Sequence, residues 1–89
     1  MSESVHQQLI LAVQSAINGD WHAAHNIAQN YNSPIACWIH AVLHKMEPDE
    51  WNSRYWYARS GGHSYEEFLD AKIELQDIAR QLITPVPKY

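Results

Sequence analysis

Ser33-Pro34-Ile35-Ala36-Cys37-Trp38-Ile39-His40-Ala41-Val42-Leu43-His44-Lys45-Met46 carries its own start signal, and Glu47-Pro48-Asp49 restarts the chain directly behind it. Ser33 is a helix cap, and Pro34 stands at the first helical position, where its missing N–H costs nothing. Ile35, Ile39, Val42 and Met46 then recur at spacings of three and four, which makes one apolar stripe, flanked by Trp38 and Leu43. Proline and aspartate after such a stripe end one helix and cap the next.

The same stop-and-start grammar runs in both directions. Val5, Leu9, Ala12, Val13 and Ala16 predict a first helix from Glu3 to Ile17, which Asn18-Gly19 ends, since both tolerate the left-handed conformation of a C-cap. Asp20 caps a second helix whose Trp21, Ala24, Ala28 and Tyr31 share a side. A fourth helix runs from Pro48-Asp49 to about Ser60, closed by Gly61-Gly62. Ser64 with Glu67 reads as a capping box opening a fifth, with the stripe Phe68, Ala71, Leu75, Ile78, Ala79 and Leu82 and a stop at Pro85. Strand alternation is nowhere visible. The fold class is therefore all-α, one domain over residues 1–89, with Trp21, Tyr31, Trp38 and Trp56 expected inside it.

Shifting the chain by 29 residues lays Ala12 on Ala41, Gly19 on Pro48, Asp20 on Asp49 and Ala24 on Ser53. Each unit is then a helix, an Asp-bearing turn and a second helix. Small residues at Ala12 and Ala24, and at Ala41 and Ser53, let the paired helices approach closely. Such hairpins hide their apolar faces against one another.

Gly19-Asp20-Trp21 with Ala24 resembles the turn and second helix of a tetratricopeptide repeat. Ser53-Arg54-Tyr55-Trp56-Tyr57-Ala58-Arg59-Ser60-Gly61 is similar to the signature of the related Sel-like repeats. Together with Trp38-Ile39-His40-Ala41 and His44, these residues resemble a family of small helical proteins without an assigned function. The likeness covers about residues 18–62 and implies hairpin architecture but no activity. Ser53 stands where the pattern has a small apolar residue, Pro48 where it has Gly, and the first helix lacks the pattern's Trp and Tyr. Two units and a last helix are short for a solenoid. The expected architecture is a compact five-helix bundle of two tetratricopeptide-like hairpins plus a C-terminal helix.

Composition narrows the function classes. A chain of 89 residues is small enough for stability to depend on dense packing, which four Trp, five Tyr and one Phe can supply. A net charge of −4 argues against a nucleic-acid partner, which would call for a basic face. Residues 1–44 hold no Lys or Arg and only Glu3 and Asp20 as acids, so the first helix has a charge-free face suited to self-association. One cysteine makes no internal disulfide, and neither a signal peptide nor a membrane span is read, so the expected compartment is the cytoplasm.

The polar residues cluster around the third and fourth helices. His40 and His44 lie one turn apart with Cβ atoms roughly 6 Å from each other, and Cys37 shares their face, opposite the Ile35–Met46 stripe. Such a pair can chelate Zn²⁺. On the repeat register, however, the face meets the fourth helix, so a packed helix with structural histidines bonded to Tyr55, Tyr57 or carboxylates near Arg54 outweighs a metal site. Without the Glu of His-Glu-x-x-His, a zinc-protease helix is excluded. His22 and His25 form a second pair, His25 on the apolar side, and a four-histidine site across helices two and three is conceivable. Arg54-Tyr55-Trp56-Tyr57-Ala58-Arg59 is apolar around most of its helix, so burial between neighbours is expected. The competing use is a ring platform for a sugar or heterocycle with Arg54 and Arg59 on an anion, and His25, Arg54, Tyr57 and Arg59 are the candidate ligand or partner contacts. Gly61-Gly62-His63-Ser64 makes a turn rather than an anion site. With no nucleophile elbow, phosphate loop or dinucleotide fingerprint, the sequence favours a non-enzymatic module that binds a protein or peptide or self-associates. The alternative is a small metal- or ligand-binding protein using the histidine face of the third helix.

Overall fold

A computed structural model describes residues 4–83 as five helices: α1 (Val5–Ile17), α2 (Trp21–Ala28), α3 (Pro34–Met46), α4 (Glu50–Tyr57) and α5 (Ala71–Ile83). No strand occurs among the described residues, and no helix of theirs is long and apolar enough to cross a membrane. Each boundary has a local cause. Ser4 and Ser33 cap α1 and α3 by accepting from the N–H groups of Gln7 and Ala36, and Asp20 and Asp49 do the same for α2 and α4 through Ala23 and Asn52.

α3 begins and ends 29 residues after α1, and α4 begins and ends 29 residues after α2. The turns share their closing bond, although Gly19 also donates its N–H to Ala16 O and Pro48 has no N–H to match it. The Asp20 N–H donates to Ser15 O at 2.8 Å, and its counterpart Asp49 donates to His44 O at 2.7 Å. Gly19 reaches this turn at φ +87°, whereas Pro48 holds the equivalent place without any positive φ. Ala12, Ala24, Ala41 and Ser53 have no exposed surface, so each hairpin closes on small residues. Ser53 fits because its hydroxyl donates to Ala41 O across the interface at 2.6 Å. A buried hydroxyl thereby gains a partner and costs little.

α3 is the centre of the molecule. It touches α1, α2, α4 and α5, and every residue from Ala36 to His44 is buried. α5 lies across α1 and α3 and covers the faces that the hairpins leave open. Its start differs from the expected one. Glu67 donates its N–H to Ser64 O and turns its carboxylate onto His63, so Ser64 opens only a single turn. Asp70 makes the effective cap, accepting from Lys72 and Ile73. Phe68 packs against the core from the preceding turn, and the expected stop at Pro85 lies outside the described residues.

Trp38 is 1 % exposed and forms the middle of the core; Trp21, Tyr31 and Trp56 are half-buried around it. α4 is not enclosed as its ring content suggested. It spans two turns at the edge of the bundle, burying Ser53 and Tyr57 while Trp51 and Tyr55 face outward, 75 % and 42 % exposed.

Candidate functional site

Two buried polar clusters sit on either side of α3. On the α5 side, Glu74 has no exposed surface and accepts three bonds: from Trp38 Nε1 at 2.7 Å, Tyr57 OH at 2.7 Å and Lys45 Nζ at 2.8 Å. Lys45 spends another proton on Phe68 O. Burial, followed by the Glu74 bond and charge, pushes the Tyr57 phenol far above its ordinary range, so it stays a donor. Every member of the cluster is committed to another, which is the signature of a structural network. The sequence reading did not single out Glu74; its spacing, three residues after Ala71 and four before Ile78, was the available signal.

On the other side, α2 brings His25 over His40 and His44. Ring centroids lie 4.8 Å apart for His25–His40, 5.3 Å for His25–His44 and 5.0 Å for His40–His44. One nitrogen from each ring falls within 4.8 Å of the other two. His40 and His44 are 5 % and 8 % exposed, and His25 is half-buried. Indole planes brace the group: Trp21 stacks on His25 at 4.8 Å, and Trp56 stacks on His40 at 4.0 Å. Trp21 is itself pinned by Nε1 donating to Leu43 O at 2.7 Å.

Hydrogen bonding within the trio is incomplete. His44 Nδ1 bonds the Glu47 carboxylate at 2.8 Å. His25 and His40 have ring contacts but no hydrogen bond to any described residue. Burial, then the neighbouring His25 and His44, brings His40 down to about 4; burial followed by His44 lowers His25. Both rings are therefore neutral near pH 7, with a lone pair available on one nitrogen each. For His44, donation from Nδ1 to Glu47 leaves the lone pair on Nε2.

The remaining sequence candidates disperse. Tyr57 belongs to Glu74 and Tyr55 faces outward, so neither bonds the histidines as expected. Arg54 pairs with Glu50 and Glu66 and lies over the Tyr65 ring. Arg59 caps Tyr55 in the same manner, 3.9 Å from its centroid. His22 is exposed and meets Trp21 edge-on, outside the trio. Buried Cys37 donates to Asn32 O at 3.7 Å, and burial raises its thiol above the ordinary value against an opposing effect of Arg59. Glu47, which the sequence reading did not name as a partner of His44, is the carboxylate that orients it; its position three residues further along the chain was the available signal.

Searches against protein-family models, curated proteins and solved structures found no match for this chain.

Proposed function

We propose that this protein binds a first-row transition metal ion, Zn²⁺ foremost, through His25, His40 and His44. The convergence of three imidazoles, two of them lacking any hydrogen bond among the described residues, carries the reading. No buried side-chain nitrogen or oxygen among the described residues lacks a partner, so the unbonded ring nitrogens of His25 and His40 keep some exposure, through which an ion can reach them. An ion shared by three lone pairs would engage all three rings at once. Zn–N bonds of about 2.0–2.1 Å set tetrahedral nitrogens about 3.4 Å apart, so the trio needs only a modest contraction from its present spread. Imidazole donors suit Zn, Cu, Ni and Fe, whereas Mg²⁺ and Ca²⁺ ask for oxygen ligands. Glu47 behind His44 supplies the outer carboxylate that such ligands commonly use to fix their tautomer.

The ion would tie α2 of the first hairpin to α3 of the second, so binding and folding are coupled. Calorimetric titration of untagged, chelator-treated protein with ZnCl₂ tests the reading. One equivalent of heat and a raised melting temperature are expected, both lost in His40→Asn/His44→Asn; absence of saturable binding by the wild type refutes it.

A second reading has its own observation. Trp51 and Tyr55 stack at 6.2 Å on the outer face of α4, and Arg59 lies over Tyr55 without a carboxylate partner among the described residues. Trp, Tyr and Arg are the residues that dominate binding energy at protein interfaces. With the 29-residue register of the hairpins, this supports a tetratricopeptide-like interaction module, docking a protein or peptide or a second copy of the chain. Loss of self-association or partner capture in Trp51→Ala/Tyr55→Ala, with the fold retained, would bear it out.

A further inference from the structure

We infer that the ion held by His25, His40 and His44 keeps one coordination position for a small exogenous donor, a water molecule or a compact anion. The inference rests on the metal reading and goes beyond it by counting the donors within reach.

Among the described residues, the group of convergent ligand atoms at this site contains the three histidines and no fourth member. Each nearby candidate is engaged elsewhere. Cys37 shares the sequence face of His40 and His44, yet its Sγ turns to Asn32 O on the far side of Ser33. His22 lies outside the trio, edge-on to Trp21. Glu47 and Asp49 form a second convergent group with His44, but Glu47 Oε1 is on His44 Nδ1, the nitrogen that donates rather than ligates. Asp49 accepts from the N–H and the side-chain amide of Asn52 at the start of α4. Closed structural zinc sites use four protein ligands, whereas sites with three keep the fourth place for water or another small molecule.

Geometry and charge select the occupant. The indoles of Trp21 and Trp56 lie flat against His25 and His40, which leaves little width beside the rings. Two clefts, of about 230 and 410 Å³, are lined by residues of α4 and the segment before α5, with Lys45 of α3 in the larger, and by none of the three histidines. Of the three rings, His25 is the most exposed, and neither cleft reaches the trio, so the expected donor is a small one. Three neutral imidazoles leave the ion's own coordination shell uncharged, so a compact anion such as azide or thiocyanate can take the place of water there, opposed by the Glu47 and Asp49 carboxylates beside His44.

Cobalt substitution reads the fourth position directly. Untagged, chelator-treated protein is titrated with CoCl₂, its visible spectrum recorded, and sodium azide or thiocyanate then added; calorimetry with ZnCl₂ runs in parallel. The expected result is a set of intense bands from four-coordinate cobalt that shift saturably with the anion, one anion per ion, in the wild type and in His22→Gln alike. Intense bands that ignore the anion overturn the inference while leaving the metal reading intact, and an anion response gained only in Glu47→Gln would identify Glu47 as the closing ligand. If neither cobalt nor zinc binds, the metal reading itself falls, and the inference with it.

Discussion

The two polar clusters flanking α3 are both packed beside indoles in the same small bundle and end in opposite states. Around Glu74, a carboxylate, an ammonium, a phenol and an indole satisfy one another completely. Around His40, three imidazoles converge, yet only His44 finds a hydrogen-bond partner. The first arrangement locks α3, α4 and α5 together. The second leaves one ring nitrogen from each of three histidines within 4.8 Å of the others, between the two hairpins. Burial of polar groups therefore does not mark a site in this molecule; convergence of ring nitrogens with bonding capacity to spare does.

Removing Glu74 should give the largest effect. Glu74→Ala strands the Lys45 ammonium and the Tyr57 and Trp38 donors inside the bundle, and breaking such a pair from one side costs about 3–5 kcal/mol. Urea unfolding should show that loss, with Glu74→Gln destabilising less, because the amide oxygen still accepts. Zinc affinity per folded molecule should not change, since none of the trio touches Glu74. A parallel loss of zinc affinity would show the two clusters to be one unit.

Acid should distinguish the clusters next. In metal-free protein His40 titrates from the ordinary value of 6.5 in the unfolded chain to about 4 in the fold. The neutral ring is the folded form, so its contribution is fully present above pH 6.5, is lost as the pH falls toward 4, and is constant below. The shift corresponds to about 3 kcal/mol. Denaturation midpoints measured across that window should fall in the wild type and flatten in His40→Gln, apart from the smaller effect of His25.

Much of the fold was legible because local signals agreed with the global one. Ser33-Pro34, Asp20 and Asp49 each cap the helix they announce, and the 29-residue shift matches both hairpins end to end. The start of α5 was misread because Ser64 and Glu67 form a capping pattern that tertiary pairing overrides: Glu67 goes to His63, and the stacking of His63 on Trp38 at 3.5 Å holds that turn against the core. The exposure of Trp51 and Tyr55 was hidden because periodicity counts apolar positions and not neighbours, and α4, last in its hairpin, has a neighbour on one side only. For the site, spacing gave His40 and His44 and set His25 on the inner side of α2. That His25 completes the trio while His22 does not depends on the α2–α3 crossing, which no local pattern encodes.

Zinc should stabilise the wild type by about 2.7 kcal/mol at a concentration one hundred times the dissociation constant. Glu47→Gln keeps the three ligands but replaces the carboxylate behind His44. Loss of such an outer partner typically weakens affinity about 10–100-fold, so the zinc-dependent rise in melting temperature should shrink without disappearing. Calorimetry on Glu47→Gln and Glu47→Asp checks this, with the aspartate variant nearer the wild type if charge rather than reach matters. Equal affinities in all three would remove Glu47 from the site.

The smallest effect on stability is expected at the edge of the bundle. Trp51 is 75 % exposed and its main ring contact is Tyr55 at 6.2 Å, so Trp51→Ala removes little buried surface. Its cost in urea should lie within about 0.5 kcal/mol, the range of ordinary surface substitutions. The ring of an exposed tryptophan is an expensive thing to keep in water, and it becomes useful when a partner covers it. Sedimentation at rising concentration, comparing wild type with Trp51→Ala/Tyr55→Ala, separates the two uses of the molecule. Weaker association in the double variant, with zinc binding intact, places the interaction surface on α4 and apart from the histidines. Identical sedimentation in both leaves α4 without a role in self-association, and the functional weight of the chain then rests on the α2–α3 junction.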